Sequence, residues 1–370
     1  MTEYDKKIAQ TEGADETFFA GANTHKGFYN CFSDIFDEAE LTALYIIKGG
    51  PGTGKSTFMK KLIAAAKEKG AVCRAYLCGS DPSSLDAVTL EKGEKHIAVI
   101  DGTSPHAYDA RYPGAVSRIL YCAAFLDGDK LSAERDEIIA LAERKSECYA
   151  CAYRYLSALS TLRSDLRALS SRALDYGKMK GACDRLAVSL AREFNCTGGE
   201  TVHPARRRIC NGTTMLGLCE TDFAPDTRLY SVTDTELSYT FFMSALSDSL
   251  ITCGVPHTRL ADSTEPELLR GLYIDRLKIC ILPFDKKPEG AEKNINMARF
   301  VSAAKLKNTR NKRSFIRKCI ASVEDGASQS LCECAQFHFR LEEIYKSAMD
   351  FVALTAQSAD WTEEILSRLG

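Results

Sequence analysis

The chain has 370 residues, 45% of them hydrophobic and 26% charged, with a formal net charge of −2 at pH 7. That length exceeds what one core ordinarily holds, so two units are expected, and the composition excludes a fibrous or wholly disordered chain. The near-zero charge gives no global field to draw the molecule onto nucleic acid or an acidic membrane, so neither is an expected partner.

The first residues, Met1-Thr2-Glu3-Tyr4-Asp5-Lys6, lack the basic, apolar and small-residue order of an export signal, and no run approaches about 18 uninterrupted apolar residues. A cytoplasmic protein is the expectation. The 15 cysteines form an odd set without framework spacing, mostly inside apolar segments such as Tyr121-Cys122-Ala123. They read as reduced core residues. The close pairs Cys148/Cys151 and Cys332/Cys334 lack a second pair at zinc-finger distance, so no metal site is expected from them.

Residues 43–48 (Ala-Leu-Tyr-Ile-Ile-Lys) are a short apolar run of the kind buried in a parallel sheet, and 56–69 have helical period and propensity. Between them lies Gly49-Gly50-Pro51-Gly52-Thr53-Gly54-Lys55-Ser56-Thr57. Strand, glycine-rich loop and helix together match the P-loop pattern, in which backbone N–H groups wrap a polyphosphate at a helix N-terminus. On that reading the loop binds ATP: Lys55 neutralises the β and γ phosphates, the Ser56 hydroxyl enters the Mg2+ shell and Thr57 meets the α-phosphate. The shell also needs an acid at the end of a buried strand, which Ile97-Ala98-Val99-Ile100-Asp101 supplies.

Asp101 is followed by Gly102-Thr103-Ser104-Pro105-His106 and not by a second acid, so the base that activates water is unassigned and turnover is expected to be slow. Asp81 and Asp86, in Asp81-Pro82-Ser83-Ser84-Leu85-Asp86, and His106 are the candidates; each is equally of the type that forms turns and caps. Thr103 is placed to sense the γ-phosphate or simply to sit in a loop.

The prolines divide the rest. Pro51, Pro82, Pro105 and Pro113 punctuate one block and Pro204, Pro225, Pro256, Pro266, Pro283 and Pro288 another, each followed by a long proline-free stretch. Proline breaks helix interiors, so turn-rich and helical blocks alternate twice, which suggests an internal duplication. In the first helical block, Ala152, Tyr155, Leu159, Leu162, Leu166 and Leu169 recur at helical steps, and Gly177 with Gly181 marks a turn. A helical hairpin packing on itself at about 131–194 is expected.

The halves can be aligned: Leu44-Tyr45-Ile46-Ile47 with Leu229-Tyr230-Ser231-Val232, the helix 58–70 with 242–254, and His96 to Ile100 with Lys278 to Leu282. This predicts domains 1–200 and 201–370, divided near Cys196-Thr197-Gly198-Gly199, with a C-terminal helical region at about 291–368. Each is expected to be a three-layer α/β/α P-loop NTPase unit with a mostly parallel sheet and a helical appendage. At the loop position the second half reads Thr233-Asp234-Thr235-Glu236-Leu237-Ser238-Tyr239-Thr240, without glycine or lysine, and its strand 279–282 ends in Pro283 where the first has Asp101. The second copy is therefore read as degenerate. Its basic run, Lys305 to Lys318, and Arg206-Arg207-Arg208 read as solvated faces.

Several segments together resemble an uncharacterised family of bacterial tandem P-loop proteins described only as ATPases or ATP-binding proteins. They are Phe18-Phe19-Ala20-Gly21-Ala22-Asn23-Thr24 with Gly27-Phe28, the loop 49–57, Asp81 to Asp86, Asp101 to His106, Tyr112 to Val116, and Leu341 to Phe351. The resemblance implies ATP binding and a P-loop in each half; this chain departs from it in the second. Three functions follow as expectations. The first is a slow ATPase or nucleotide-dependent switch that relays closure to the helical hairpin. The second is a small-molecule or nucleotide kinase with Asp81 as base and Arg111 or His106 steadying the phosphoryl group. The third is a non-enzymatic ATP-gated adaptor whose helical regions bind a protein partner or a second copy.

Overall fold

The computed structural model describes residues 7–9, 11–195, 205–221, 223, 224 and 226–370, so the division proposed near residues 196–199 lies outside the described residues. In the first half β1 (Lys7–Ala9), β2 (Glu16–Phe19) and the hairpin of β3 (Gly21–Thr24) and β4 (Gly27–Asn30) precede α1 (Phe32–Ile35), β5 (Ala43–Lys48) and α2 (Lys55–Glu68). Next come β6 (Val72–Leu77), β7 (Leu85–Lys92), β8 (Lys95–Asp101), β9 (Ser117–Tyr121), α3 (Gly128–Ala133), α4 (Arg135–Ser171) and α5 (Tyr176–Phe194). The second half begins with β10 (Ala205–Ile209), the hairpin of β11 (Asn211–Thr214) and β12 (Gly217–Thr221), β13 (Arg228–Thr233) and α6 (Tyr239–Thr252). It closes with β14 (Thr258–Ala261), β15 (Leu269–Ile274), β16 (Ile279–Phe284), β17 (Lys293–Asn296), α7 (Ala303–Lys307), α8 (Arg310–Ser347) and α9 (Phe351–Leu369).

The fold is α/β, with twelve strands in one sheet ordered β17-β13-β16-β15-β14-β10-β2-β6-β7-β8-β5-β9. Read inward from the two edges, β17-β13-β16-β15-β14-β10 and β9-β5-β8-β7-β6-β2 have the same succession of pairings: parallel, parallel, antiparallel, antiparallel, parallel. The two ends join antiparallel where Ile209 of β10 faces Phe19 of β2. The expectation of two separate sheets is corrected by this joint. Pairing β2 with β10 covers the inner edge of each half-sheet with the other. β5 lies between β8 and β9, which is why residues 43–47 are all buried and read as one apolar run.

The hairpins repeat to the hydrogen bond. Thr24 Oγ1 donates to Gly27 O (2.7 Å) and accepts the Lys26 N–H (3.1 Å), while Thr214 Oγ1 donates to Gly217 O (2.9 Å) and accepts the Leu216 N–H (3.1 Å).

The helices correct the hairpin expected at 131–194. Gly177 and Gly181 lie inside α5, whose start is set at Asp175, where the carboxylate accepts the Lys178 N–H. α4 does not fold back on α5. It runs antiparallel to α8, with Leu156 and Leu159 against Ala327, so its apolar seam is covered within the chain by a helix far along the sequence. α5 instead buries Met179, Cys183, Leu186 and Leu190 in the second half's core, beside α6. In return α9 buries Leu354, Ile365, Leu366 and Leu369 in the core of the first half. At roughly 1.5–3 kcal/mol for each fully buried large apolar side chain, this exchange ties the halves together. The C-terminal helical region also starts later than 291, because β17 and a 3-10 turn at Met297–Phe300 occupy its beginning. No helix among the described residues is long and apolar enough to cross a membrane.

Candidate phosphate-binding site

The glycine-rich stretch leaves the end of β5 and enters α2 at Lys55. Gly52 and Gly54 take φ of +68° and +81°, the left-handed region that a side chain resists. A Cβ at Gly52 would also stand 2.7 Å from Glu342 O, because the end of α8 lies directly on the loop. No side chain caps α2 and its first turn holds no acid. The first-turn N–H groups have no intrahelical acceptor, and the positive end of the helix dipole faces the same way.

The residues singled out in sequence converge here. Lys55 Nζ donates to Gly49 O (3.2 Å) and Gly50 O (2.6 Å) and lies 3.5 Å from Asp101 Oδ2. Asp101 ends β8 opposite Ile47 of β5, and its Oδ1 accepts the Thr103 N–H (2.8 Å). Thr103 Oγ1 accepts the Gly49 N–H (3.2 Å), so it links the two loops. Ser56 Oγ accepts the Leu85 N–H (3.0 Å), and Thr53 Oγ1 donates to Gly50 O (2.9 Å). Thr57 is exposed beside them.

These groups open onto a cavity of about 620 Å³ that also takes in Asp81, Asp86 and His106. Asp81 is turned to its own segment, accepting the Ser83 N–H (3.0 Å) and the hydroxyls of Ser83 (2.7 Å) and Ser84 (3.1 Å). Asp86 and His106 are both buried, with His106 Nε2 3.0 Å from Asp86 Oδ2. Burial pushes the Asp86 carboxyl up to about 6, with His106 opposing the rise and the Asp101 charge adding to it. Cys78 joins this pair, so that a sulfur, a carboxylate oxygen and an imidazole nitrogen lie within 4.8 Å of one another.

The far wall comes from Lys145 of α4 and His338 and Phe339 of α8, which no local pattern announces, and from Glu342 and Lys346 of α8, which lie in the resembling segment Leu341 to Phe351. Lys145 Nζ is 3.2 Å from His338 Nδ1, and Glu342 is held down to about 2 by its hydrogen bond with His338 and by Lys346. Glu38, also missed, is fully buried and accepts from Tyr108 OH (3.0 Å), Arg111 N (3.1 Å), Tyr112 N (3.2 Å) and Ser117 Oγ. With Lys48 Nζ donating to Gly102 O (2.7 Å) and Tyr108 O (3.0 Å), it fixes the loop behind Asp101. Asn23 Nδ2 donates to Gly79 O and Thr213 O (both 3.1 Å), joining the halves.

The second half fills the corresponding place with its own side chains. Asp234 accepts the N–H groups of Glu236 (2.9 Å) and Tyr239 (2.7 Å) and the Ser238 hydroxyl (3.1 Å), so a carboxylate sits at the start of α6. Glu236 in turn pairs with Arg313 and with Arg317 (2.5 Å). The basic run is therefore not wholly a solvated face, because Arg313 is buried against this loop. Beyond it, Arg163 meets Asp262 (3.2 Å) and Arg167 meets Glu265 (2.5 Å). Burial favours the neutral acid at Asp262, yet Arg163 and Arg270 keep its carboxyl below the usual range. Pro283 lies opposite Val232, in the register that Asp101 holds opposite Ile47. Arg207 Nη1 donates to Pro266 O (2.9 Å) and Arg208 lies over the Phe18 ring, while the side chain of Arg206 lies outside the described residues.

Compared with known proteins, the chain matches no family model, no curated protein and no solved structure.

Proposed function

We propose that this chain is a P-loop protein that binds ATP with Mg2+ on residues 49–57 and hydrolyses it slowly, as a nucleotide-dependent switch. The observation that carries this is the uncapped, acid-free start of α2 behind a loop with left-handed glycines, with Lys55, Ser56 and Asp101 gathered beside it. Such an end holds polyanions through its N–H groups and dipole. Lys55 would leave its loop carbonyls to neutralise the terminal phosphates.

The Ser56 hydroxyl and the Asp101 carboxylate fit a magnesium ion, being hard oxygen donors that each retain a lone pair beyond the N–H they accept. When bound, that ion bridges phosphate oxygens and neutralises developing charge. Burial holds the Asp86 carboxyl up to about 6, and no acid stands beside Asp101 to activate water, which fits the slow turnover proposed. The contacts of Gly52 with α8 support a relay through the α4–α8 pair rather than a 131–194 hairpin. The kinase reading is less supported, since the Asp81 oxygens are taken up by Ser83 and Ser84. An adaptor without turnover keeps the same site.

The repeated strand succession supports an internal duplication whose second copy has exchanged phosphate binding for internal ion pairs and acts as a scaffold. A twin P-loop architecture of this kind is also what the resemblance to tandem P-loop ATPases implies. Phosphate release from ATP with Mg2+ tests the reading: wild type turns over slowly, and Lys55→Ala and Asp101→Asn lose the activity. Unchanged release by Lys55→Ala would overturn it.

A further inference from the structure

A second hollow, of about 740 Å³, runs between α2 and α9 and shares Gly54, Thr57 and Phe351 with the phosphate cavity. The two differ in chemistry. The first is lined by Lys55, Lys60, Lys145 and Lys346 among acids and hydroxyls; the second is walled by Phe58, Ala65, Leu354 and Leu366, with Lys61, Lys69 and Glu363 also on its lining. A nucleotide has the same division, a polyanionic tail on an aromatic base. With its tail on residues 49–56, the nucleoside leaves the loop past Thr57, where the apolar hollow begins.

We infer that the groove between α2 and α9 receives the nucleoside, with the base against Phe351 and Leu354, a proposal that rests on the triphosphate reading of the loop. Phe351 is 42% exposed at the shared mouth, an aromatic face open to stacking, whereas Leu354 is buried behind it. The volume lies within the range of small-ligand pockets, about 300–1,000 Å³. Polar selection comes from α9. Thr355 Oγ1 donates to Phe351 O (2.7 Å) and Thr362 Oγ1 donates to Ser358 O (2.8 Å), so both hydroxyls have their proton engaged and present acceptor lone pairs. Glu363, also on this wall, offers only acceptors when ionised. The acceptors on the α9 wall suit a base with an exocyclic amine, such as adenine, while the donors on the α2 wall, Lys61 and Lys69, are exposed lysines. The helix that reads the base is thus the last of the chain, seated on the first half by the exchange of α5 and α9.

The test compares ATP, ITP and inorganic tripolyphosphate, each with Mg2+, on wild type, Phe351→Ala and Thr355→Trp, by competition against a fluorescent nucleotide or by calorimetry. ATP is expected to bind more tightly than ITP and tripolyphosphate, and both substitutions to weaken ATP roughly tenfold, the size of one lost base-stacking contact, while tripolyphosphate stays unchanged in Thr355→Trp, whose residue lines the groove and not the phosphate cavity. Thermal melts of both variants establish that they fold, and Phe351→Tyr should retain ATP affinity. If ATP and tripolyphosphate bind wild type equally and neither substitution separates them, the groove proposal is wrong and the phosphate reading stands. If neither binds wild type, both readings fall.

Discussion

The start of α2 and the start of α6 occupy the same place in two equivalent half-sheets, yet they handle the helix end in opposite ways. At α2 the cap is glycine, the acids stand off on Asp101 and Asp86, and a cavity remains. At α6 the chain supplies its own anion, Asp234, and Arg163, Arg167 and Arg313 tie the surrounding carboxylates. One backbone scheme thus serves either an exogenous anion or internal stability, and the side chains decide which. A helix N-terminus needs negative charge nearby, and the second half has it built in.

Substitutions on the two long helices should separate these roles most sharply. Arg163→Ala leaves Asp262 buried without its principal cation, so a loss of roughly 3–5 kcal/mol in urea-unfolding free energy is expected. His338→Ala, at the far end of the α4–α8 pair opposite Lys145, should cost less than about 1 kcal/mol, since Glu342 keeps Lys346 in a partly solvated setting. Equal losses would remove the contrast.

Gly52→Ala comes next. Its positive φ and the 2.7 Å approach to Glu342 O predict a loss of about 1–3 kcal/mol together with weaker ATP binding, read by melting and titration. Asp234→Ala, which frees two N–H groups at α6, should cost roughly 1–2 kcal/mol and leave ATP affinity unchanged. A second nucleotide bound by that variant would show that the plug alone separates the halves.

The smallest effect is a pH dependence. Asp86, held up to about 6, keeps a proton in the folded chain that the unfolded chain releases near 4. Its contribution is therefore intact below about pH 4 and is lost as the pH rises through 6. Asp86→Asn should flatten unfolding free energy across pH 4 to 6 by something on the order of 1 kcal/mol. A profile identical to wild type would mean that Asp86 is already ionised in the fold.

What could be read from sequence was local. Strand, glycines and helix at 43–69 are contiguous, and Asp101 stands out because four buried apolar residues precede it. Features set by distant partners were not legible. Nothing near α4 says that its seam is covered by α8, and Gly177 and Gly181 imitate a turn because packing on α6, not propensity, holds α5 together. The antiparallel β7 is hidden beneath the turn signals of Asp81 to Ser84 and by its lack of alternation, since Leu85 to Leu90 are all buried between β6 and β8. Lys145 and His338 carry no motif, Glu342 lies in a resembling segment that gives it no role, and all three reach the cavity only because α4 and α8 pair. Arg313 was assigned to solvent because its partner, Glu236, lies on a loop far earlier in the chain.

The central claim is that one half of the chain takes a triphosphate and the other cannot. Calorimetric titration of the full chain with ATP and Mg2+ addresses it directly. One nucleotide per chain is expected, and none after Lys55→Ala. Two per chain, or one that survives loss of Lys55, would contradict it.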